Sequence, residues 1–394
     1  MLSLLVVTLL LCGAGTRAKQ ICLLGDFESQ VQYLMDKVMM SKEEVALSNT
    51  MFDDLRATLQ RRWPGTKVHP LGSLTTGVAL KLSDADCYVE IPTFNSSADL
   101  YVLNEATELF LQQTDLYSRV IPGPAGTSDR NSILTFYHNP TKRYCDIAFK
   151  YDSGLWASRI NDYFINLDEM FKPLIGVVKY WSKIHQLTGP NSIDSYGMYL
   201  LVIFYLQQRN LVPSVYALQR QGKSHFVGHW DMGFERIPYK ATNTESLYQL
   251  LGGFFKYYSE FNFKDYIVSP YAGRPIQKTE FSGREPLAME FYLYKVNLRK
   301  HFISPLDINS ELCIQEVFEH NIGAADQVPH DKVALFISHV KFAAKMFEEL
   351  SSEDFLRAIL IKDQHNERYD RIKIVNIDQV SKLADCFNDA EQYN

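Results

Sequence analysis

The stretch Gly72-Ser73 … Ser83-Asp84-Ala85-Asp86, followed by Cys145-Asp146-Ile147-Ala148-Phe149, decides the fold of this chain. It lies in a segment of short β-rich runs, from 67 to 149. Residues two apart on a strand point to the same side, so Asp84 and Asp86 are predicted to present two carboxylates together. Asp146 lies in an apolar strand-like run, where an ionised group is costly without a partner. We therefore expect the three acids to meet on adjacent strands.

Three carboxylates in one place point to divalent cations. Neighbouring carboxylates repel unless a cation lies between them, and hard oxygen ligands suit Mg²⁺ or Mn²⁺. Two such ions about 4 Å apart can clamp the attacking and leaving oxygens in phosphoryl transfer. The preceding turn suits a phosphate, because Gly72 lets the backbone approach closely and Ser73 adds a hydroxyl donor. Asp-x-Asp alone is common in solvent-facing turns, and only the combined pattern favours a catalytic site.

Helical patterns flank the β-rich segment. Apolar residues recur at three- and four-residue spacing from 27 to 59, where Ser41 and Glu44 form a capping-box pattern. The two runs 133–137 and 144–149 are joined by a turn signal and predict a hairpin. Further helices are predicted at 99–113, 173–185, 195–208 and 248–258. These patterns predict an α+β fold with a catalytic lobe set between helical parts.

Composition limits the function classes. The 394 residues are 46% hydrophobic and 22% charged, which is typical of a folded globular protein. A net charge of −6 argues against a strongly basic protein that coats nucleic acid. The six cysteines lack CxxC spacing, so they predict neither a zinc site nor a dense disulfide framework. Cys87 and Cys145 are expected to be buried free thiols.

Together these motifs resemble the catalytic signature of the template-independent RNA nucleotidyltransferases. These are the cytoplasmic-type poly(A) polymerases and terminal uridylyltransferases of the DNA polymerase β superfamily. The resemblance covers roughly residues 30 to 325 and continues through Lys172-Pro173-Leu174, Val178-Lys179-Tyr180-Trp181-Ser182-Lys183, Asp194-Ser195-Tyr196-Gly197, Val212-Pro213-Ser214, Leu218-Gln219 and Leu250-Leu251-Gly252-Gly253-Phe254-Phe255-Lys256-Tyr257-Tyr258. It implies a polymerase-β-like lobe, a mainly helical central domain with a PAP-associated region, and an active site in the cleft between them.

The expected divisions of the chain follow from the patterns and the resemblance together. They are a signal-like or extension segment at 1–20, N-terminal helices at 27–62, a catalytic domain at 63–155, a helical central domain at 160–330 with its PAP-associated region at about 245–305, and a C-terminal helical segment at 331–394.

The resemblance also implies roles for individual residues. Asp84, Asp86 and Asp146 are expected to be catalytic and to bind Mg²⁺ or Mn²⁺. Lys179 and Lys183 are neighbours on one helix face, where two ammonium groups favour an anion between them. In the family such lysines contact the nucleoside triphosphate, and so does the serine that corresponds to Ser195. Gly72 and Ser73 of this chain are expected to contact the same nucleotide. Tyr196 is expected to stack under the base. The implied partners are an RNA 3′ end and UTP, with ATP as the alternative.

Two departures from the family pattern concern base and ribose recognition. The family has Asn-Ser or Asn-Thr about eleven residues after the third Asp, where this chain has Ala157-Ser158. Ser158 is therefore expected at the nucleotide, but the amide contact is lost. The family's Asp-Pro-Phe appears as Glu316-Val317-Phe318, and His320 follows. His320 is expected to be the residue that favours uracil over adenine.

Other readings remain open at this stage. The chain could be a regulatory pseudoenzyme, although three buried carboxylates without a metal would be destabilising. It could make a small oligonucleotide or cyclic dinucleotide, but the segment 250–258 favours RNA tailing. It could also be secreted, since Leu2 to Cys12 is apolar, Gly13 to Ala18 resembles a cleavage region, and Asn95-Ser96-Ser97 is a glycosylation sequon.

The apolar run is too short to span a bilayer, so no membrane span is predicted. A reaction that needs nucleoside triphosphate and RNA favours the cytoplasm, with the secretory pathway as the alternative.

Overall fold

The computed structural model describes residues 20–81, 83–92, 99–123, 133–189, 191–239, 243–361 and 386–388. Its strands are β1 (Gln20–Cys22), β2 (Lys67–Leu71), β3 (Ala85–Glu90), β4 (Tyr117–Pro122), β5 (Ile133–His138), β6 (Arg143–Ala148), β7 (Phe226–Val227), β8 (Trp230–Asp231), β9 (Tyr266–Ile267), β10 (Ile276–Gln277) and β11 (Cys386–Asn388). Its helices are α1 (Phe27–Val38), α2 (Lys42–Gln60), α3 (Ser73–Thr76), α4 (Asp99–Leu111), α5 (Ser153–Ile165), α6 (Phe171–Ile184), α7 (Ser195–Gln208), α8 (Val215–Gln219), α9 (Leu247–Glu260), α10 (Lys278–Phe281), α11 (Tyr292–Arg299), α12 (His330–Glu349) and α13 (Ser352–Leu360). The predicted α+β class is confirmed.

A five-stranded mixed sheet, in the order β2-β3-β6-β5-β4, forms the first lobe. β5 and β6 form the predicted antiparallel hairpin, and β3 runs parallel to β6 with Asp86 beside Asp146. Along β3 the side chains of Ala85, Cys87 and Val89 are buried in the core. Because side chains alternate along a strand, Asp86 points to the other face of the sheet.

Two apolar cores correspond to two lobes. The core of the sheet lobe packs residues of α2 and α4, such as Phe52 and Phe110, against strand residues such as Phe136. The helical lobe is built around α7, which is buried from Gly197 to Gln207. A helix that is apolar all round must be surrounded, and α6 and α9 pack against it. α9 also packs against α12.

The helix boundaries follow from local sequence. The capping box at the start of α2 is confirmed, with Glu44 N–H donating to Ser41 Oγ (3.2 Å) and Ser41 N–H donating to Glu44 Oε2 (2.7 Å). Pro173 lies in the first turn of α6, where its missing N–H costs nothing. The predicted helix at 195–208 coincides with α7, and the one at 248–258 lies within α9.

The two ends of the described chain meet. β1 pairs antiparallel with β11, with Cys22 opposite Cys386. Cys22 is disulfide-bonded, a bond that the cysteine spacing did not predict. The other cysteines that the structure describes as free are buried, as expected for Cys87 and Cys145.

The C-terminal segment expected to be helical contains α12 and α13, but its described end is a strand, β11, because β1 offers it a pairing edge. The N-terminal apolar run and the sequon lie outside the described residues. No helix in the described part of the chain is both long and apolar enough to cross a bilayer.

Candidate active site

A cavity of about 570 Å³ lies where the sheet lobe faces α6 and α7. Its lining includes most of the predicted site residues: Gly72, Ser73, Asp84, Asp86, Asp146, Lys179, Lys183, Ser195 and Tyr196. Asn161, Asp194 and Tyr199 line it as well, although the sequence did not single them out as site residues. Ser158 and His320 are not part of the lining.

The turn at Gly72 requires glycine. Its φ is +73°, and an added Cβ would lie 2.6 Å from Oδ2 of Asp86. The Gly72 N–H donates to the hydroxyl of Ser158 (2.8 Å), which donates to the carbonyl of Gly154 (2.8 Å). Ser158 is therefore not in the cavity lining but one hydrogen bond behind it, and its contact with the nucleotide stays a prediction. Its hydroxyl is occupied in holding the turn of Gly72 against α5.

The three carboxylates resist ionisation. Burial raises the pKa of Asp86 to about 7, and the charges of Asp146 and Asp84 add to the rise. Burial likewise raises the pKa of Asp84 and of Asp146. The hydroxyl of Thr135 donates to Oδ1 of Asp146 (2.6 Å) and opposes the rise there. Such a buried acidic group is stable in its ionised form only beside positive charge.

The donor set of the cavity fits divalent cations that arrive with a phosphate ligand. Among the described residues, no three His, Cys, Asp or Glu side chains form a complete metal site by themselves. Mg²⁺ is usually held by one or two carboxylates together with water and substrate phosphates, not by an all-protein cage. Asp84, Asp86 and Asp146 line one cavity and lack a complete cage, which matches that mode of binding.

Arg143 supports the loop that carries Asp84. Its guanidinium donates to the carbonyls of Ser83 and of Lys81, the latter at 3.2 Å. Burial lowers the pKa of Arg143, while the carboxylate of Asp84 opposes that change. Arg143 opens β6, three residues before Asp146, and no sequence pattern marked it as part of the site.

Two lysines on α6 face the acids across the cavity. Lys179 is only 8% exposed, and its ammonium donates to the carbonyl of Val78 (2.9 Å). Burial lowers the pKa of Lys179 to about 8, although the charge of Asp86 opposes the drop. Burial also lowers the pKa of Lys183, and Asp84 opposes it. Ammonium groups that are so desolvated favour an added anion.

The N-terminus of α7 forms a third side of the cavity. Asp194 caps the helix by accepting the N–H of Gly197, and burial raises the pKa of Asp194 to about 6. Ser195 is the first helical residue, so it lies at the positive end of the helix dipole, where anions are stabilised.

Tyr196 is fixed by a residue far along the chain. Its hydroxyl donates to Oε1 of Glu316 (2.8 Å). Oε2 of Glu316 accepts the N–H groups of Phe318 (2.6 Å) and Glu319 (2.7 Å). The ring of Tyr196 lies parallel to that of Tyr199, with centroids 6.4 Å apart. The carboxylate therefore joins the loop after residue 315 to the tyrosine that was expected to stack under a base.

Comparison with known proteins agrees with this geometry. Residues 27–166 match the family model of the central palm domain of mitochondrial-like poly(A) RNA polymerases, and residues 246–322 match the PAP-associated domain of the Cid1 family of poly(A) polymerases. The terminal uridylyltransferase cid1 of Schizosaccharomyces pombe is 30% identical over 57% of this chain and 56% of its own length. The poly(A) RNA polymerase cid11 of the same organism is 25% identical over 89% of this chain and 67% of its own.

The fold has solved counterparts. A crystal structure of mtPAP with ATPγS superposes with a TM-score of 0.72 and 19% identity, covering 86% of this chain and 73% of the other. The chain belongs to the template-independent RNA nucleotidyltransferase family. It spans about half the length of the first curated relatives that it matches.

Asn161 lies one helical turn after Ala157, the position at which the family pattern has asparagine. The two positions are four residues apart on α5, so they share one face of the helix. Asn161 lines the cavity, and its Oδ1 has no hydrogen-bond partner among the described residues. The backbone carbonyl of Asn161 accepts a hydrogen bond from the hydroxyl of Tyr199 (3.0 Å). A search of the sequence one helical turn beyond the position of the family's asparagine would have identified Asn161.

The structure does not bring His320, the expected base reader, to the cavity. The residue is 3% exposed, and its ring lies 3.8 Å from that of Tyr271 and 5.0 Å from that of Trp230, centroid to centroid. Neither ring nitrogen has a hydrogen-bond partner in the described part of the protein. Burial lowers the pKa of His320 to about 3, so the ring is neutral. The loop after residue 315 contributes Glu316 to the site and turns His320 into the core.

Proposed function

We propose that this protein adds nucleotides to RNA 3′ ends, with UTP as the preferred donor and Mg²⁺ or Mn²⁺ as the cofactor. One observation carries the proposal: three carboxylates and two lysine ammonium groups line opposite sides of a single cavity. An acidic side suits cations, a basic side suits phosphates, and a nucleoside triphosphate brings phosphate oxygens that both sides can use.

The reaction follows from the arrangement. The RNA 3′ hydroxyl would pass its proton to Asp146 as its oxygen attacks the α-phosphorus of the triphosphate. A phosphodiester bond forms, the bond between the α-phosphorus and the oxygen that bridges to the β-phosphate breaks, and pyrophosphate leaves. Lys183, Lys179 and the N-terminus of α7 would hold the departing phosphates. Asp84 and Asp86 would hold cations that stabilise the charge developing on the oxygens. Asp146 lies beside Asp86 in the strand register and would face the attacking hydroxyl.

The choice of UTP draws on relatedness and is independent of His320. The terminal uridylyltransferase cid1 shares 30% identity over 237 residues. ATP is the second candidate, since other relatives are named poly(A) RNA polymerases. Tyr196 would supply the stacking surface for either base, because every base presents a π-face.

A primer-extension assay tests this proposal. Purified protein is incubated with a 15-nucleotide labelled RNA, Mg²⁺ or Mn²⁺, and each nucleoside triphosphate in turn. The expected result is extension, with UTP used best. Preference for ATP would move the second candidate forward. Absence of extension with all four nucleotides and both metals would refute the enzymatic role and favour a pseudoenzyme.

The location of the protein is a separate proposal. The reaction favours the cytoplasm, whereas a disulfide at Cys22 favours an oxidising compartment and hence the secretory alternative. Alkylation of lysates from the native source, before and after reduction, separates the two. If the alkylating reagent labels Cys22 only after reduction, the result would support the secretory pathway. If it labels Cys22 before reduction, the result would support the cytoplasm.

A further inference from the structure

A strip of exposed and half-buried aromatic side chains lies on the hairpin β7–β8 and its neighbours. We define it as Tyr151, Trp156, His225, Phe226, His229 and Phe302. The rings of Trp156 and His225 are 4.4 Å apart at their centroids, and those of His229 and Phe302 are stacked at 4.2 Å. The tip of the hairpin also reaches Tyr151, whose ring is 3.6 Å from the Cβ position of Gly228. The hairpin therefore connects one end of the strip to the other.

The exposure of this strip is built into the hairpin. Side chains alternate along each strand, so Val227 and Trp230 pack inward while Phe226 points out and is 60% exposed. Asn297 donates to the carbonyl of His229 (2.8 Å) and holds the tip in place. Phe302 is 41% exposed beside it. Large exposed rings held on a fixed frame are typical of a binding surface.

Cations accompany the rings. The guanidinium of Arg159 lies 4.7 Å from the centroid of the Trp156 ring, and the ammonium of Lys300 lies 5.7 Å from that of Phe302. Neither cation has an acidic partner within salt-bridge distance among the described residues. A positive charge next to an exposed ring suits a ligand that alternates flat bases with phosphates.

One helix, α5, carries residues of both the strip and the candidate active site. Trp156 and Arg159 are on α5, the same helix from which Ser158 holds the turn of Gly72 and Asn161 lines the cavity. Because an α-helix turns about 100° per residue, Trp156 and Arg159 lie on the side of α5 away from Ser158 and Asn161. A strand whose 3′ end lies in the cavity would therefore have to pass around α5 to reach the strip.

We propose that the strip binds the single-stranded RNA segment that precedes the 3′ end, with bases stacked on its rings and phosphates near Arg159 and Lys300. This inference rests on the proposed function, because it assumes that RNA is the acceptor. RNA is favoured over a protein partner because each cation lies against an aromatic ring, an arrangement that suits a ligand with both flat bases and phosphates. Docking of a protein instead is an outcome that the experiment distinguishes.

The test compares the double variant Phe226→Ala/Phe302→Ala with the unmodified chain. Affinity for a labelled 15-nucleotide RNA is measured by fluorescence anisotropy, with Ca²⁺ in place of Mg²⁺. Loss of two stacking rings is expected to weaken binding about 10- to 100-fold. The KM for the nucleoside triphosphate should stay unchanged with a dinucleotide primer, which does not reach the strip. Both side chains are exposed, so the fold is expected to persist, which circular dichroism checks.

A matched control is Tyr33→Ala. Tyr33 is an exposed ring on α1 with the ammonium of Lys37 at 5.1 Å, so it repeats the ring–cation pair outside the strip. It should leave RNA affinity unchanged. A second variant, Arg159→Ala/Lys300→Ala, should reduce the slope of log affinity against log salt by about 1 to 2.

The outcomes separate the two proposals. Suppose that the unmodified protein extends RNA and that the double variant and the unmodified protein bind RNA with equal affinity. Then the strip is not the RNA site, and the proposed function stands. Equal loss in the Tyr33 variant, or no RNA binding by the unmodified chain, also overturns the strip. Retained RNA affinity together with loss of a co-purifying protein from the double variant would identify a protein-docking surface instead.

Discussion

The acidic side of the cavity and its nucleotide side are built in different ways. Asp86 and Asp146 meet because two neighbouring strands share a register, which involves only the sheet lobe. Tyr196 is held by Glu316, 120 residues later, and the site therefore depends on how the helical lobe folds. Chemistry that is placed by strand alternation is visible in a short motif. A side chain that is placed by long-range packing, as Tyr196 is, is not.

The largest effect should come from Asp86→Asn. We expect extension to fall by about three orders of magnitude or more, because a neutral amide cannot replace a carboxylate that holds a catalytic cation. The shape of the side chain is kept, so the fold should persist. Extension rates with Mg²⁺ measure the effect, and Asp115→Asn, an exposed acid, is the control. A rate within tenfold of the unmodified protein would contradict the metal role.

The same variant has a stability consequence with a definite sign. The folded pKa of Asp86, about 7, lies above its unfolded value of roughly 4, so ionisation opposes folding. The stability linked to the protonated form is lost as pH rises from about 4 to 7. Asp86→Asn should therefore raise the Tm of the metal-free protein more at pH 8 than at pH 5.

Lys183→Met should weaken the binding of the nucleoside triphosphate and should have little effect on the turnover step. Loss of one charged contact to a phosphate costs about 1.5 to 3 kcal/mol, which corresponds to roughly a 10- to 150-fold rise in the KM for the triphosphate. Lys345→Met, on the exposed side of α12, is the control. An unchanged KM would show that α6 does not bind the triphosphate.

The sequence predicted what depends on local geometry. The acids, the turn at Gly72, the start of α2 and the exact bounds of α7 follow from periodicity, capping and glycine freedom. Ser158 and His320 were expected at the nucleotide but lie outside the cavity lining, because family spacing says which residues lie near the site and not which way each side chain turns. Arg143 and Asn161 were missed because their roles arise only when β6 and α5 pack around the cavity.

Asn161→Ala should have a moderate effect on sugar recognition. Asn161 lines the cavity and its Oδ1 is buried and unpaired, so a rotation of the amide towards the cavity would let it accept a ribose hydroxyl. That contact is worth about 1 kcal/mol, or roughly fivefold. We expect the preference for UTP over dUTP to fall by that factor, with the kcat for dUTP nearly unchanged. Ser153→Ala, at the start of the same helix, serves as the control. If both sugars lose equally, Asn161 supports the structure and does not read the ribose.

Tyr196→Phe tests the long-range hydrogen bond between Tyr196 and Glu316 directly. The ring remains for stacking, but the hydrogen bond to Glu316 is lost, which leaves an oxygen of this half-buried carboxylate one donor short. We expect the KM for the preferred nucleotide to rise about threefold to tenfold, since one hydrogen bond to a charged group is involved and backbone N–H groups still hold Glu316. Glu316→Gln should give a similar shift. Unequal behaviour of the two variants would mean that Tyr196 and Glu316 act independently.

The smallest catalytic effect is expected from His320→Phe, although His320 was expected to choose the base. Its ring is packed among Tyr271, Trp230 and Phe291 and not in the cavity lining, so the ratio of UTP to ATP use should change by less than about twofold.

The stability of the His320→Phe variant in acid should respond instead. The folded pKa of about 3 is below the unfolded value of about 6.5, so stability from the neutral ring is present above pH 6.5 and lost as pH falls towards 3. By pH 5 the loss is about 2 kcal/mol, and phenylalanine, which does not titrate, should abolish it. Melting curves between pH 7 and 5 measure this, with the exposed His330→Phe as the control. A variant that loses its preference for UTP, while its acid stability is unchanged, would return His320 to the base-recognition site.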